Sequence, residues 1–231
     1  MSRDCEPLDR RVWFSVLADT LSTMVEQAAT GRIDKRNAVM AAAFDVFSRE
    51  GYQQAHVDQI AARAKVAKAT VYNHFGDKET LFRAAIEALS EAALARNLAA
   101  VARLDEAGAD PGPALTDVGV RLIDCYCEEQ SWALRRLLYA ETPRFPDLVA
   151  LVQDRVAVPV VRALADRLAR LSLAGLLATD DADAAAEQFT ALLTGPLEAR
   201  SRYGTRRVSR AERRAVAERA VTTFLRAYSP A

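Results

Sequence analysis

The stretch from Ala55 to Phe75, Ala-His-Val-Asp-Gln-Ile-Ala-Ala-Arg-Ala-Lys-Val-Ala-Lys-Ala-Thr-Val-Tyr-Asn-His-Phe, constrains the fold more than any other part of the chain. It reads as two helices of about two turns each, Val57 to Ala64 and Lys68 to Phe75, with only Lys65, Val66 and Ala67 between them. Two helices joined this tightly need a small residue where they cross, and Ala61 supplies it. They also need apolar side chains facing inward from both, and Ile60, Ala64, Val66 and Val71 serve. Gly76-Asp77 then opens a long helix, with Asp77 as N-cap and Glu79 and Thr80 in its first turn. Leu81, Phe82, Ala85, Ile86 and Leu89 lie on one face of that helix, which extends toward Leu104.

The rest of the chain also reads as helix. Alanine, leucine and arginine are abundant, and clusters of Val, Ile, Thr and Tyr that would mark strands are missing. Upstream, Arg10 to Ala29 is amphipathic, with Trp13, Leu17, Leu21, Met24 and Ala28 in register and Gly31 as its end. A helix from Ile33 to Arg49 follows, stopped by Gly51. Gly108 to Pro113 is the clearest linker. Beyond it come Ala114 to Glu129, Ser131 to Glu141, Pro146 to Leu171, Ala182 to Tyr203 and Ser209 to Tyr228, with Pro159 and Pro196 expected to kink their helices. The expected fold is all-α: an N-terminal three-helix helix-turn-helix domain, then a C-terminal helical ligand-binding and dimerisation domain. The expected boundaries are an N-terminal extension over 1–31, the helix-turn-helix over 32–80 and the C-terminal domain over 81–231.

Several function classes lack their residues. Both histidines, His56 and His74, lie in the motif, and no nucleophile elbow, glycine-rich phosphate loop or metal-ligand spacing is present. Cys125 and Cys127 point about 200° apart on a helix and cannot share a metal. Cys5 makes the cysteine count three, which is no disulfide framework. Asp180, Asp181 and Asp183 read as a helix N-cap cluster. Neither catalysis, nor a metal, nor a cofactor is expected. No apolar run is long enough to cross a membrane and the N-terminus lacks signal-peptide character, so the expected location is the cytoplasm and no membrane partner is expected.

Formal net charge is zero, yet all four lysines, Lys35, Lys65, Lys68 and Lys78, lie in one stretch. Arg32 to Arg83 carries a net charge of about +3. The second short helix of the motif shows polar and aromatic groups suited to a major groove and its flanking phosphates: Lys68, Thr70, Tyr72, Asn73 and His74. Lys78 stands in the first turn of the next helix, where an ammonium and a helix N-terminus together can hold a phosphate.

The run Val57-Asp58-Gln59-Ile60-Ala61 through Lys68-Ala69-Thr70-Val71-Tyr72-Asn73-His74-Phe75-Gly76-Asp77-Lys78-Glu79-Thr80-Leu81-Phe82 resembles the DNA-binding domain of the TetR family. The resemblance covers roughly Asp34 to Phe82 and implies that Thr70, Tyr72, His74 and Lys78 touch DNA, with Lys68 and Asn73 beside them and Phe75 in the core. Three positions depart from the family pattern. Lys65 stands where the turn has Gly, Ala67 where the recognition helix has a Ser cap, and His56 where Thr or Ser caps the preceding helix. Lys65 itself is placed to reach the DNA backbone. Ala133 to Leu148, with Ala185 to Phe189 and Leu192 to Gly195, resembles the ligand domain of the AefR-like branch of that family.

The resemblance implies a transcriptional regulator, a repressor by the usual family role, that leaves a palindromic operator when a small hydrophobic ligand binds. Its partners would be double-stranded operator DNA, a small-molecule effector and a second copy in a homodimer. Trp132, Arg136, Tyr139 and Phe145 are the candidate ligand residues. Phe189, Leu192, Leu193, Val221 and Phe224 are candidates for the dimer seam. The competing reading is a degenerate helical interaction module that no longer binds DNA.

Overall fold

The computed structural model describes residues 10–230, with side chains from residue 32 onward. Ten α-helices make up the described residues: α1 (Arg10–Gln54), α2 (Val57–Arg63), α3 (Lys68–Phe75), α4 (Lys78–Ala102), α5 (Gly112–Tyr126), α6 (Glu129–Glu141), α7 (Pro146–Val152), α8 (Val158–Leu173), α9 (Ala182–Ser201) and α10 (Arg210–Tyr228). No strand occurs among them.

The caps follow the residues. Asp77 accepts the Thr80 N–H at 2.7 Å and opens α4. That bond holds the Asp77 carboxyl below the usual range, because it favours the charged form. Asp181 accepts the Ala184 N–H at 2.9 Å and opens α9, which gives the Asp180–Asp183 cluster its place in the fold. Ser209 and Glu212 exchange bonds of 3.2 and 3.0 Å at the start of α10. These bonds, with Arg206, take the Glu212 carboxyl down to about 2.

Two helix boundaries differ from the expected ones. α1 runs through Gly31 without a break, so that glycine does not end a helix. A single glycine costs a helix interior about 1 kcal/mol, too little to stop one. The packing expected of the Arg10–Ala29 apolar stripe lies outside the described side chains. The interruption falls instead at Gly51, whose φ of 74° and ψ of 167° suit glycine alone. The expected kink at Pro159 takes the form of a π-helical turn over Gln153–Ala157, which joins α7 to α8. A wide turn moves the preceding carbonyls away from the proline ring, which an α-helical register would bring into collision. Pro196 is accommodated inside α9.

Two apolar cores share α4 and α6. Val39, Ala43 and Phe47 of α1, Ile60, Val71 and Phe75 of the motif, and Phe82 and Ile86 of α4 form the first. Leu134, Leu137 and Leu138 of α6 complete it, with Phe145 and Leu148. Ala100 and Val101 of α4, Trp132 of α6 and the inner faces of α5, α8, α9 and α10 form the second. α4 therefore crosses the expected 80/81 boundary unbroken and is built into both cores.

Gly204, in the loop between α9 and α10, has a φ of +81°, and a Cβ there would lie 2.5 Å from Trp132 Cγ. Gly204→Ala is expected to lower unfolding free energy by about 2–4 kcal/mol, combining a left-handed backbone with overpacking. Urea denaturation monitored by circular dichroism measures it.

Candidate nucleic-acid interface and effector cavity

The short helices of the motif meet as their spacing requires. Ala61, 4% exposed, sits at the crossing. After α2 the Val66 N–H donates to Ala61 O at 3.0 Å and the Lys65 N–H to Ala62 O at 3.2 Å, the paired bonds of a Schellman turn. That turn needs a left-handed residue. Lys65 occupies it with a φ of 56°. The usual glycine is absent, so the backbone bears the Cβ penalty. Ala67 is the N-cap of α3 and offers no side-chain bond. At the start of α2, Gln59 Oε1 accepts the His56 N–H at 2.9 Å, so the side chain three residues on serves this N-terminus.

α3 carries the candidate contacts on its outer face. Lys65, Lys68, Tyr72 and Asn73 are exposed, whereas Thr70, His74 and Lys78 are half-buried. Val71 and Phe75 point inward and are buried. Lys68 Nζ lies 2.9 Å from Asp58 Oδ1, and the bond raises the lysine pKa. Lys78 donates to Gln53 O at 3.0 Å and stands 4.7 Å from the Tyr52 ring centroid. Partial burial, helped by the nearby Arg144 charge, lowers its pKa.

Behind this face, Tyr52 ties the motif to the C-terminal helices. Its ring centroid lies 5.0 Å from Phe82 and 4.8 Å from Phe145. Its N–H donates to Glu141 Oε1 at 2.8 Å. Arg144 covers the same ring at 4.9 Å, and Arg83 pairs with Asp147 at the edge of the cluster.

A cavity of about 440 Å³ opens on the other side of α6. Ala93 and Asn97 of α4, Leu122, Cys125 and Tyr126 of α5, the α6 face and the α7–α8 segment wall it, together with Thr190, Leu193 and Thr194 of α9. Ser131, Leu134, Arg135, Leu138 and Tyr139 line it from α6 at helical spacing. Arg135 Cζ lies 3.8 and 4.0 Å from the Tyr126 and Trp132 ring centroids, and Nη2 donates to Tyr126 O at 2.6 Å. Burial raises the Cys125 thiol pKa, so the sulfur facing this space is a protonated, weakly reactive group. A larger groove of about 510 Å³ runs between α1 and α4, but Arg36, Asn37, Glu87 and Glu91 make its walls polar. Ligand pockets are mostly apolar, which favours the smaller space.

Two family models match this chain. Residues 39–85 match the model described as bacterial regulatory proteins, tetR family. Residues 113–230, half the chain, match the C-terminal domain of AefR-like transcriptional repressors. The chain belongs to the TetR family. Its members are DNA-binding transcriptional regulators rather than enzymes. A solved TetR-family transcriptional regulator from Mesorhizobium loti superposes with a TM-score of 0.79 at 29% identity, covering 86% of this chain and 98% of that one. The Flavonoid-responsive Regulator FrrA gives 0.61 at 27% identity, covering 85% and 97%. Among curated relatives, the repressor NicS of Pseudomonas putida is 35% identical over 91 residues, 39% of this chain. The activator FasR of Mycolicibacterium smegmatis is 39% identical over 56 residues, 24% of this chain. The chain spans only 26% of FasR and 41% of NicS.

In this TetR-family chain the ligand candidates scatter. Tyr139, 62% exposed, stands at the cavity mouth. Trp132 is buried behind Arg135, and Arg136 points away to donate to Tyr203 O at 3.2 Å. Phe145 belongs to the Tyr52 cluster. Sequence reasoning passed over Arg135 in favour of its neighbour. The helical phase of Ser131, Leu134, Leu138 and Tyr139 was the available signal. Of the seam candidates, Phe189, Leu193, Val221 and Phe224 are buried within their own chain, and only Leu192 is partly exposed. Those four side chains hold α9 and α10 in the second core, with Leu192 and Leu225 partly buried beside them.

Lys65→Gly combined with Ala67→Ser is expected to stabilise the protein by about 1–2 kcal/mol, from a relaxed turn and a restored cap. Thermal and chemical unfolding of the double variant check the value, and a loss of stability would contradict the strain assigned to Lys65.

Proposed function

We propose that the chain is a ligand-responsive repressor that binds a palindromic operator as a homodimer through α3. The observation that carries this reading is the polar outer face of α3 joined through one aromatic cluster to a helix that lines an apolar cavity. Lys68, Tyr72 and Asn73 reach the major groove and its phosphates, with Thr70 and His74 at the edge. The uncapped start of α3 and the ammonium groups of Lys65 and Lys78 add phosphate contacts. One motif reads few base pairs, so specificity requires two copies spaced by about one turn of DNA.

The dimer seam falls on the outward faces of α9 and α10, opposite the buried Phe189 and Leu193. Ala191, Gly195 and Ala199, with Leu192 at their side, give α9 a face of small residues on which a second helix can lie close. Thr222 and Thr223 continue it on α10. A ligand in the cavity bears on α6 and the π turn and shifts Glu141 and Phe145 against Tyr52. The changed separation of the two α3 helices then breaks simultaneous contact, and the avidity of the pair is lost. The name of the flavonoid-responsive neighbour supports control by a small molecule.

The test is a mobility-shift assay on DNA selected from random oligonucleotides. Affinity is expected to fall steeply with salt, whereas a helical module without DNA binding selects no sequence at all. Tyr72→Ala and Lys78→Ala are each expected to weaken binding to specific and unrelated DNA alike, by about 1–3 kcal/mol. An unchanged complex in both variants would remove these residues from the interface.

A further inference from the structure

Four arginines of the described residues have a buried Nε without a hydrogen-bond partner: Arg96, Arg135, Arg167 and Arg213. Three of them are neutralised. Arg96 lies 3.0 Å from Glu128, Arg167 2.9 Å from Asp105 and Arg213 2.7 Å from Asp124. Arg135 is the exception, because no carboxylate among the described residues comes within ion-pair distance of it. Glu198 acts on Arg135 only through space, and its carboxylate accepts a bond from the Tyr126 hydroxyl at 3.5 Å.

Among the described residues Arg135 is also the only charged side chain lining the cavity, and no described aspartate or glutamate shares the wall with it. The other polar groups there are largely satisfied. The Thr190 and Thr194 hydroxyls donate to carbonyls of their own helix at 2.9 Å each, Ser131 to Cys125 O at 2.8 Å and Asn97 to Ala93 O at 2.8 Å. Leu122, Leu138, Val152, Val156 and Val160 make most of the remaining wall apolar. The guanidinium carbon lies against the mutually perpendicular Tyr126 and Trp132 rings, and the Tyr126 carbonyl takes one Nη2 hydrogen. The other Nη hydrogens have no partner among the described residues, and a guanidinium fork matches a carboxylate two bonds at a time. Burial already lowers the Arg135 pKa, which marks how poorly its charge is compensated without a partner.

Resting on the assignment of this cavity as the effector site, we infer that the effector is an amphipathic carboxylate, its anion held by Arg135 and its apolar body lying among the valines and leucines of α5 to α8. A charge-assisted bidentate contact in a largely apolar wall discriminates strongly against an uncharged analogue of the same length.

The experiment compares decanoate with 1-decanol below their aggregation concentrations, using a Trp13→Phe background so that Trp132, stacked on Arg135, is the sole indole. Trp132 emission reads binding and thermal unfolding reads it independently. Decanoate is expected to bind at least about tenfold more tightly than decanol. Arg135→Gln is expected to remove that preference while leaving decanol affinity within about twofold, and Arg135→Lys to keep part of it. The wild-type comparison stands even if a variant folds poorly. Equal binding of the two probes to the wild-type protein would overturn the carboxylate assignment and leave the cavity as an effector site for neutral molecules. Binding of neither would overturn the assignment together with the cavity reading on which it rests.

Discussion

Tyr52 is the residue on which α1, α4 and the α6–α7 corner meet. Gly51 interrupts α1 in a conformation open to glycine alone, and that break delivers the Tyr52 ring to Phe82 and Phe145 and its N–H to Glu141. Each contact reaches a different element: α4, the α6–α7 corner and the end of α6. Lys78, at the start of the helix that follows the motif, rests on the same ring. The end of α6, α1 and the foot of α4 therefore share one close-packed aromatic cluster, in which no ring has free space around it. Interfaces of this kind pass between discrete arrangements rather than deforming smoothly.

α4 and α6 are then levers with one end in each core. Phe82 and Ile86 of α4 lie with the motif and Val101 lies with α5 and α8, while Trp132 and Leu138 divide α6 in the same way. Partition into an N-terminal and a C-terminal unit describes the order of the chain better than it describes the packing. The Arg135 face of α6 looks into the cavity and the next face packs on the first core, so one helix carries both a wall of the cavity and the connection to Tyr52.

What could be read from the sequence was what local geometry decides. Ala61 at the crossing, Lys65 in a left-handed turn, Asp77 and Asp181 as caps and Ser209 opening α10 each depend on a few neighbouring residues. The pattern that reveals them is short. Phase relative to distant helices was less legible. Phe189 and Phe224 announce an apolar stripe, but a stripe that packs on its own chain and one that packs on a second copy have the same periodicity. Arg135 and Arg136 differ by about 100° around the helix, and composition gives no reason to prefer either. Phe145 sits among residues resembling a ligand domain, yet its ring is claimed by Tyr52 from 93 positions away in the chain, a pairing that no local pattern encodes. Gly31 misled for the opposite reason: glycine signals a helix end only where the backbone needs its special conformation, and there it does not.

The π turn at Gln153–Ala157 has a further consequence. It places one more residue between α7 and α8 than an unbroken helix would hold in the same turn, and Gln153, Val156 and Ala157 of that turn all face the cavity. The wide turn absorbs that extra residue, so α7 and α8 keep one phase on either side of it. Deleting a single residue there would restore the ordinary register and leave Val149, Val152 and Val160 in the wall. The bulge in this wall is thus set by chain length as much as by side-chain identity, and a change of one residue in count would remove it while every wall-forming side chain of α5, α6 and α9 stays in place.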